Sequence, residues 1–279
     1  MAHTSTLGIT VSDGNTLDAL MEKYAEVIDM VQKGAISQQI KNINLSGDPE
    51  AGSVVVRRMA TSIARTLGTA RTGGAGDKLS NNGVTVNLSV DKEIVEEIAR
   101  KDIDMYGIPD ILAKRVVNHE LAMIRDLDTA FFTEAEAEGT DVDVSGESTI
   151  EAKLEALIQA VETVENDNVD GVDREMLVVT LKPSVYGDLR NYLDTVTNPN
   201  GQSYEVFHDV RVFSNVRQTE DAICMAMGSI AQPVHATPYA ESDIPLSNDK
   251  AVMLFYSYGT QAVMSDLIAY ADFSDEVSA

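Results

Sequence analysis

Residues 91–132 read DKEIVEEIARKDIDMYGIPDILAKRVVNHELAMIRDLDTAFF. Two kinds of periodicity meet in this stretch. Ile94 and Ile98 suit a strand of period two, whereas Ile94, Val95 and Ile98 together suit a helical turn; the extended reading is preferred for Glu93 to Ala99. Beyond the breaker Tyr106-Gly107-Ile108-Pro109 the apolar positions Leu112, Val116, Val117, Leu121, Ile124, Leu127 and Phe131 predict one long amphipathic helix. Pro109 suits its first turn, where a missing N–H costs nothing. The helix should run to about Glu138, just before Gly139. At 1.5 Å of rise per residue its length is roughly 45 Å, well above that of an ordinary globular helix.

Working upstream, Val84-Thr85-Val86-Asn87-Leu88-Ser89-Val90 alternates as a strand, and Val54 to Ala70 begins with β-branched residues. Between them lies a segment rich in Gly and Asn, Thr72 to Gly83, with the tip Thr72-Gly73-Gly74-Ala75-Gly76-Asp77. The segment predicts a long hairpin with a glycine tip. Further upstream, Asn15 is a good N-cap for a helix carrying Leu17, Leu20, Met21, Tyr24, Val27, Ile28 and Val31, closed by Gly34. Ala35 to Gly52 reads as an extended arm or linker.

Downstream, Asp141 to Ser148 is a polar turn region. Ile150 to Val164 predicts another amphipathic helix, and Met176 to Leu181 a strand. Pro183 opens a helix through Leu193, and Pro199-Asn200-Gly201 is a turn. Val210 to Phe213 and Ala222 to Met227 predict strands, and so do Ala251 to Tyr258 and Thr260 to Tyr270, parted by Gly259.

The chain has 279 residues, 44% of them hydrophobic, enough for a sizeable core. No apolar run is long enough to span a bilayer, and residues 1–15 lack the basic-then-apolar pattern of a secretory signal. The single cysteine, Cys224, sits in an apolar run and reads as a small buried hydrophobe. The net charge of −24 is unevenly placed: residues 133–279 hold 27 acidic and 7 basic side chains, against 18 and 14 in residues 1–132. One stretch opposes the trend. Between Val54 and Lys78 lie Arg57, Arg58, Arg65, Arg71 and Lys78 against Asp77 alone. It reads as a solvated basic face or as a positive arm that lies on the acidic body of another copy. Binding of duplex DNA by the whole surface is disfavoured, because phosphate is recognised mainly by Lys and Arg.

No active site is legible. The cluster Gly73-Gly74-Ala75-Gly76 fits neither the phosphate-loop nor the dinucleotide pattern. Asp141-x-Asp143-x-Ser145-Gly146 and Asn166-x-Asn168-x-Asp170-Gly171 match half a calcium loop, but Ala152 and Leu177 stand where a bidentate Glu is needed. His3, His119, His208 and His235 have no second His or Cys at ligand spacing, and His119 reads as a helix-surface or interface residue. Ser229 lacks the second glycine of a nucleophile elbow. The chain is expected to be no enzyme, with no cofactor and no metal site.

In order, the hairpin Arg71 to Val90, the segment DKEIVEEI (91–98), the helix Gly107 to Phe132 and residues 222–234, AICMAMGSIAQPV, resemble the major capsid proteins of tailed bacteriophages with the Hong Kong 97 fold. The resemblance implies an α+β class and five regions. Residues 1–52 would be an N-terminal arm, 53–90 an extended β-hairpin loop, and 91–147 a peripheral domain with the long spine helix. Residues 148–235 would be an axial domain, and 236–279 the C-terminal strands completing both domains. It implies that copies form pentamers and hexamers of an icosahedral shell around double-stranded DNA, with no sequence-specific binding and no membrane. Arg57, Arg58, Arg65, Arg71, Gly73, Gly74, Gly76 and Lys78 would be the candidate inter-subunit contacts. A portal would be a further partner, and assembly, in the host cytoplasm, would use a separate scaffolding protein or none, with residence in the virion. Three other readings stand beside it: an encapsulin-type nanocompartment shell that encloses cargo enzymes, a tail-tube protein, and an acidic α/β enzyme. The long helix argues against the second, and the lack of a convergent polar site against the third.

Overall fold

Helix formation over Ile108–Glu138 follows from one continuous buried row: Ile108, Leu112, Val116, His119, Met123, Leu127, Phe131 and Ala135, at steps of three and four. Its start is set by Gly107. That residue adopts φ +76 and donates its N–H to Ile103 O (2.8 Å), closing the preceding short helix as only glycine does cheaply. The computed structural model describes residues 14–59, 81–197 and 203–273. In chain order the helices are α1 (Gly14–Gly34), α2 (Ile36–Ile40), α3 (Arg100–Tyr106), α4 (Ile108–Glu138), α5 (Ile150–Glu162) and α6 (Pro183–Leu189).

The chain divides into two units. The first takes the residues up to Gln39, Asn87–Asp128 and Pro233–Gly259. Its sheet is centred on β16 (Lys250–Tyr258). The strand β4 (Val90–Ile98) pairs antiparallel along one edge of β16 for nine residues, from Val90↔Tyr258 to Ile98↔Lys250. Along the other edge lie β14 (Val234–Ala236) and β15 (Ala240–Asp243) in tandem. The side chains of β16 alternate: Val252, Leu254, Tyr256 and Tyr258 are buried, while Ala251, Met253, Phe255 and Ser257 point the other way. The inward face meets α4, where the Tyr256 hydroxyl donates to Asp126 Oδ2 (2.8 Å). A Cβ on Gly259 would lie 2.0 Å from Asn87 O, so the ends of the two strands close up only around glycine.

The second unit takes Ile40–Val86, Thr129–Gln232 and the residues from Thr260. Two strands, β5 (Thr140–Asp141) and β18 (Ile268–Ala271), start a seven-stranded sheet. It continues through β12 (Ala222–Ala226), β8 (Leu177–Leu181), β11 (Val210–Ser214), β10 (Ser203–Phe207) and β9 (Asp194–Thr197). The β8–β11 and β5–β18 pairs are parallel, and the others antiparallel. Every residue of β8 and β12 is buried, so both faces are covered at the centre. On one face α5 packs Leu154, Leu157, Ile158 and Val161 into a cluster with Leu177, Val179, Leu181, Cys224 and Ala269. Thr149 caps α5 by accepting from Ala152 N. A small sheet in the order β1 (Leu45–Ser46), β2 (Ser53–Met59), β3 (Asn81–Asn87) buries Val54, Val56 and Val86 against Ala231 and Val263. Short pairs β6 (Glu165–Asn166) with β7 (Val169–Asp170), and β13 (Ile230–Ala231) with β17 (Gln261–Ala262), complete the elements.

The predicted long helix, the strand over Glu93 to Ala99 and the buried cysteine are present as expected. Four expectations need correction. Ala35 to Gly52 is not simply extended: it holds α2 and β1, with Ala35 and Ile40 buried and Asn42 Nδ2 donating to Gly228 O (2.8 Å). The strand and the long helix are separated by α3, a helix with one buried apolar residue, Ile103. The helix opened by Pro183 leaves α geometry after Leu189 and tightens into a 3-10 turn, Arg190–Tyr192. The strand predicted for Thr260 to Tyr270 is broken by a 3-10 turn at Ser265–Leu267.

Candidate assembly surfaces

The base of the expected hairpin lies in β2 and β3. Because strand side chains alternate, Val54, Val56 and Arg58 share one face of β2, while Val55 and Arg57 share the other. Arg58 follows the buried valines inward. Its two terminal nitrogens donate to both carboxylate oxygens of Asp266 at 2.5 and 2.7 Å, and Asp266 also accepts from Asn166 Nδ2 (2.6 Å). The Arg58 guanidinium holds the Asp266 carboxyl below its usual range. Arg57 is exposed. Arg65, Arg71, Gly73, Gly74, Gly76 and Lys78 lie outside the described residues. The two candidates that are described thus have opposite settings: Arg58 is engaged within its own chain and Arg57 faces solvent.

Other cations of the second unit are also engaged. Arg174 bridges Glu155 and Glu162, with Glu162 Oε2 at 3.1 Å. This guanidinium, opposed by partial burial and aided by His208 and Gln159, takes Glu155 down to about 2. Lys182 pairs with Asp221 (2.9 Å), which in turn accepts from Phe273 N (3.0 Å). The turns that half-match calcium loops are closed internally: Asp143 Oδ1 accepts from Ser145 N, and Asn166 Oδ1 accepts from the backbone of Asn168 and Val169. Among the described residues no group of three or more His, Cys, Asp or Glu side chains is placed to hold a metal ion. No described helix is long and apolar enough to cross a membrane.

In the first unit the structure corrects the reading of His119 as a helix-surface residue. It is 4% exposed, its Nδ1 lies 2.7 Å from the Tyr239 hydroxyl, and its Nε2 lies 3.3 Å from Glu96 Oε1. Glu96 is also gripped by Arg115, whose Nε lies 2.9 Å away. The Arg115 hydrogen bond is the main cause of a lowered Glu96 pKa. This network ties α4 to β4 and stiffens the covered side of the β16 sheet.

The uncovered side of that sheet was not singled out from the sequence. Val95 stands directly opposite Met253, and Glu93 opposite Phe255. Val95 is 50% exposed and Phe255 38%. The outward row therefore mixes large apolar groups with Asp91, Glu93 and Glu97, a composition that suits a partly polar contact between molecules. Its signal lay in the apolar residues at the outward positions of DKEIVEEI and AVMLFYSY.

No family model matches the sequence, and none of the curated proteins matches it. Solved structures do match. A chain of the Pyrococcus furiosus virus-like particle is 11% identical with a TM-score of 0.58, covering 91% of this chain and 98% of that one. A chain of the capsid of cyanophage P-SCSP1u is 11% identical with a TM-score of 0.56, covering 83% and 85%. A chain from Mycobacterium phage Che8 is 15% identical with a TM-score of 0.55, covering 79% and 84%. At such identities the likeness is one of fold. The α+β chain has the Hong Kong 97-like capsid fold.

Proposed function

We propose that this chain is the major capsid protein of a tailed phage, and that its copies form the pentamers and hexamers of an icosahedral shell around double-stranded DNA. The observation that carries the reading is the shared fold, which spans 83% of the chain in the case of a phage capsid. It is supported by the one-sided β16 sheet with Val95 and Phe255 exposed and by a basic segment, beginning at Arg57, on an otherwise acidic chain. In this reading Arg57 and the cations that follow it lie on the acidic body of a neighbouring copy, and the contacts are electrostatic in steering and apolar in area. The chain turns over no substrate and needs no cofactor. A portal completes the particle, which is assembled in the host cytoplasm.

A second reading is an encapsulin-type nanocompartment shell, which the likeness to a virus-like particle of Pyrococcus furiosus accommodates as well as a capsid. One experiment separates the two. The full chain is expressed together with the genes that flank its own, and its particles are imaged by cryo-electron microscopy. Their contents are then identified by mass spectrometry and nuclease protection. The capsid reading predicts five- and six-fold capsomers or closed shells without a fixed protein cargo. A stoichiometric cargo enzyme in every particle would favour the nanocompartment, and failure to form any closed or ring assembly would contradict both.

A further inference from the structure

At one end of the seven-stranded sheet, strand register gathers four side chains on one face. Arg211 stands opposite Val206, and Tyr204, two residues before Val206, stands opposite Val196. By the alternation of strands Arg211, Phe213, Tyr204 and Val196 therefore point the same way. The Arg211 guanidinium carbon lies 5.0 Å from the Tyr204 ring centre and 5.1 Å from that of Phe213. The two π-faces hold the cation in place. Its Nε is buried and has no hydrogen-bond partner. Asp194, on the same face, stands across Val206 two strands away, roughly 10 Å by strand spacing.

What sets Arg211 apart is a buried guanidinium nitrogen without a hydrogen-bond partner. Arg58, Arg174 and Lys182 of the same unit each have a carboxylate partner. Among the described residues Arg211 has none, although the chain holds 45 acidic side chains against 21 basic ones. The edge strand beside it, β9, is exposed at all four residues, and Val196 is 39% exposed. A guanidinium stacked on aromatic rings keeps its planar fork ordered, ready for two parallel bonds to a carboxylate. Copies that each carry a charge of −24 repel, and a cation set against an acid offsets that repulsion locally. Arginine and tyrosine are also the residues that most often anchor interfaces.

We propose that Arg211 anchors a contact between copies, donating to a carboxylate of a second copy while Tyr204 and Val196 exclude water around the pair. The inference rests on the shell reading and deepens it. The test uses Arg211→Lys, which keeps the charge and supplies an amine that a carbodiimide couples, with no spacer, to a touching carboxylate. Particles are assembled from a mixture of unlabelled and 15N-labelled full-length chains, coupled and digested. The expected result is an isotopically mixed peptide joining position 211 to an Asp or Glu. Alongside it, Arg211→Glu should lower the assembled fraction by about tenfold or more with an unchanged circular dichroism spectrum. The proposal is overturned if the parent chain assembles but no inter-copy link forms at position 211, or if Arg211→Glu assembles as the parent does. If Arg211→Glu proves misfolded, the coupling result alone decides. A parent chain that never assembles would remove the shell reading itself, and with it this contact.

Discussion

The two main sheets differ in how much of themselves they hide. In the seven-stranded sheet, β8 and β12 are buried along their whole length, and α5 seals one face with Leu154, Leu157, Ile158 and Val161. In the β16 sheet only every second residue is buried, and Val95 and Phe255 stand on the uncovered face. The first sheet completes its own core. The second keeps an apolar row that would be covered by another molecule. One chain thus combines a self-sufficient core with a surface built to be finished elsewhere, as the proposed role in a shell requires.

The largest way to break that contrast is to damage the completed core. Phe207→Ala should cost about 3–5 kcal/mol, because Phe207 is 1% exposed within the α5 cluster and leaves a large cavity. Chemical denaturation of the full chain, read by circular dichroism, would show it. Next in size is the Arg58–Asp266 pair. Arg58→Ala removes two short charge-assisted bonds and leaves Asp266 with Asn166, for a loss of roughly 1–3 kcal/mol in the same assay.

A third test uses acid. Arg174 holds Glu155 at about 2, below the 4.5 of a free glutamate. Since the folded value is the lower one, this stabilisation is complete above about pH 4.5 and is lost as the pH falls toward 2. Glu155→Gln should reduce the melting temperature at neutral pH and flatten its fall between those two values. A variant with the parent's acid profile would show that Glu155 is not the group involved.

The smallest effect on folding is expected on the uncovered sheet. Val95→Ser with Phe255→Ser should change unfolding free energy by no more than about 1 kcal/mol, since both side chains are substantially exposed. The same variant should assemble much less than the parent, as read by light scattering. Large destabilisation with normal assembly would reverse the contrast between the two sheets.

Much of this was legible from local pattern. The bounds of α4 follow from its stripe, Gly107, Pro109 and Gly139. His119 could have been placed inside that stripe, three residues after Val116 and four before Met123, but its polar neighbours Asn118 and Glu120 obscured it. The helix α3 carries no stripe, since only Ile103 is buried. The break at Ser265–Leu267 hides in a run where Val263, Leu267 and Ile268 are all buried, which mimics one continuous strand. Partners far apart in sequence could not be read at all. Asp266 lies 208 residues from Arg58, and the Tyr204 ring reaches Arg211 only through the register of β10 and β11.

Sedimentation velocity of the full chain, run from low to high salt, tests the shell account most directly. The account predicts large closed assemblies or capsomer rings whose abundance depends on ionic strength, as expected for cation-on-acid contacts between acidic copies. A single 30.2 kDa species at every salt concentration, with the parent fold intact, would contradict it.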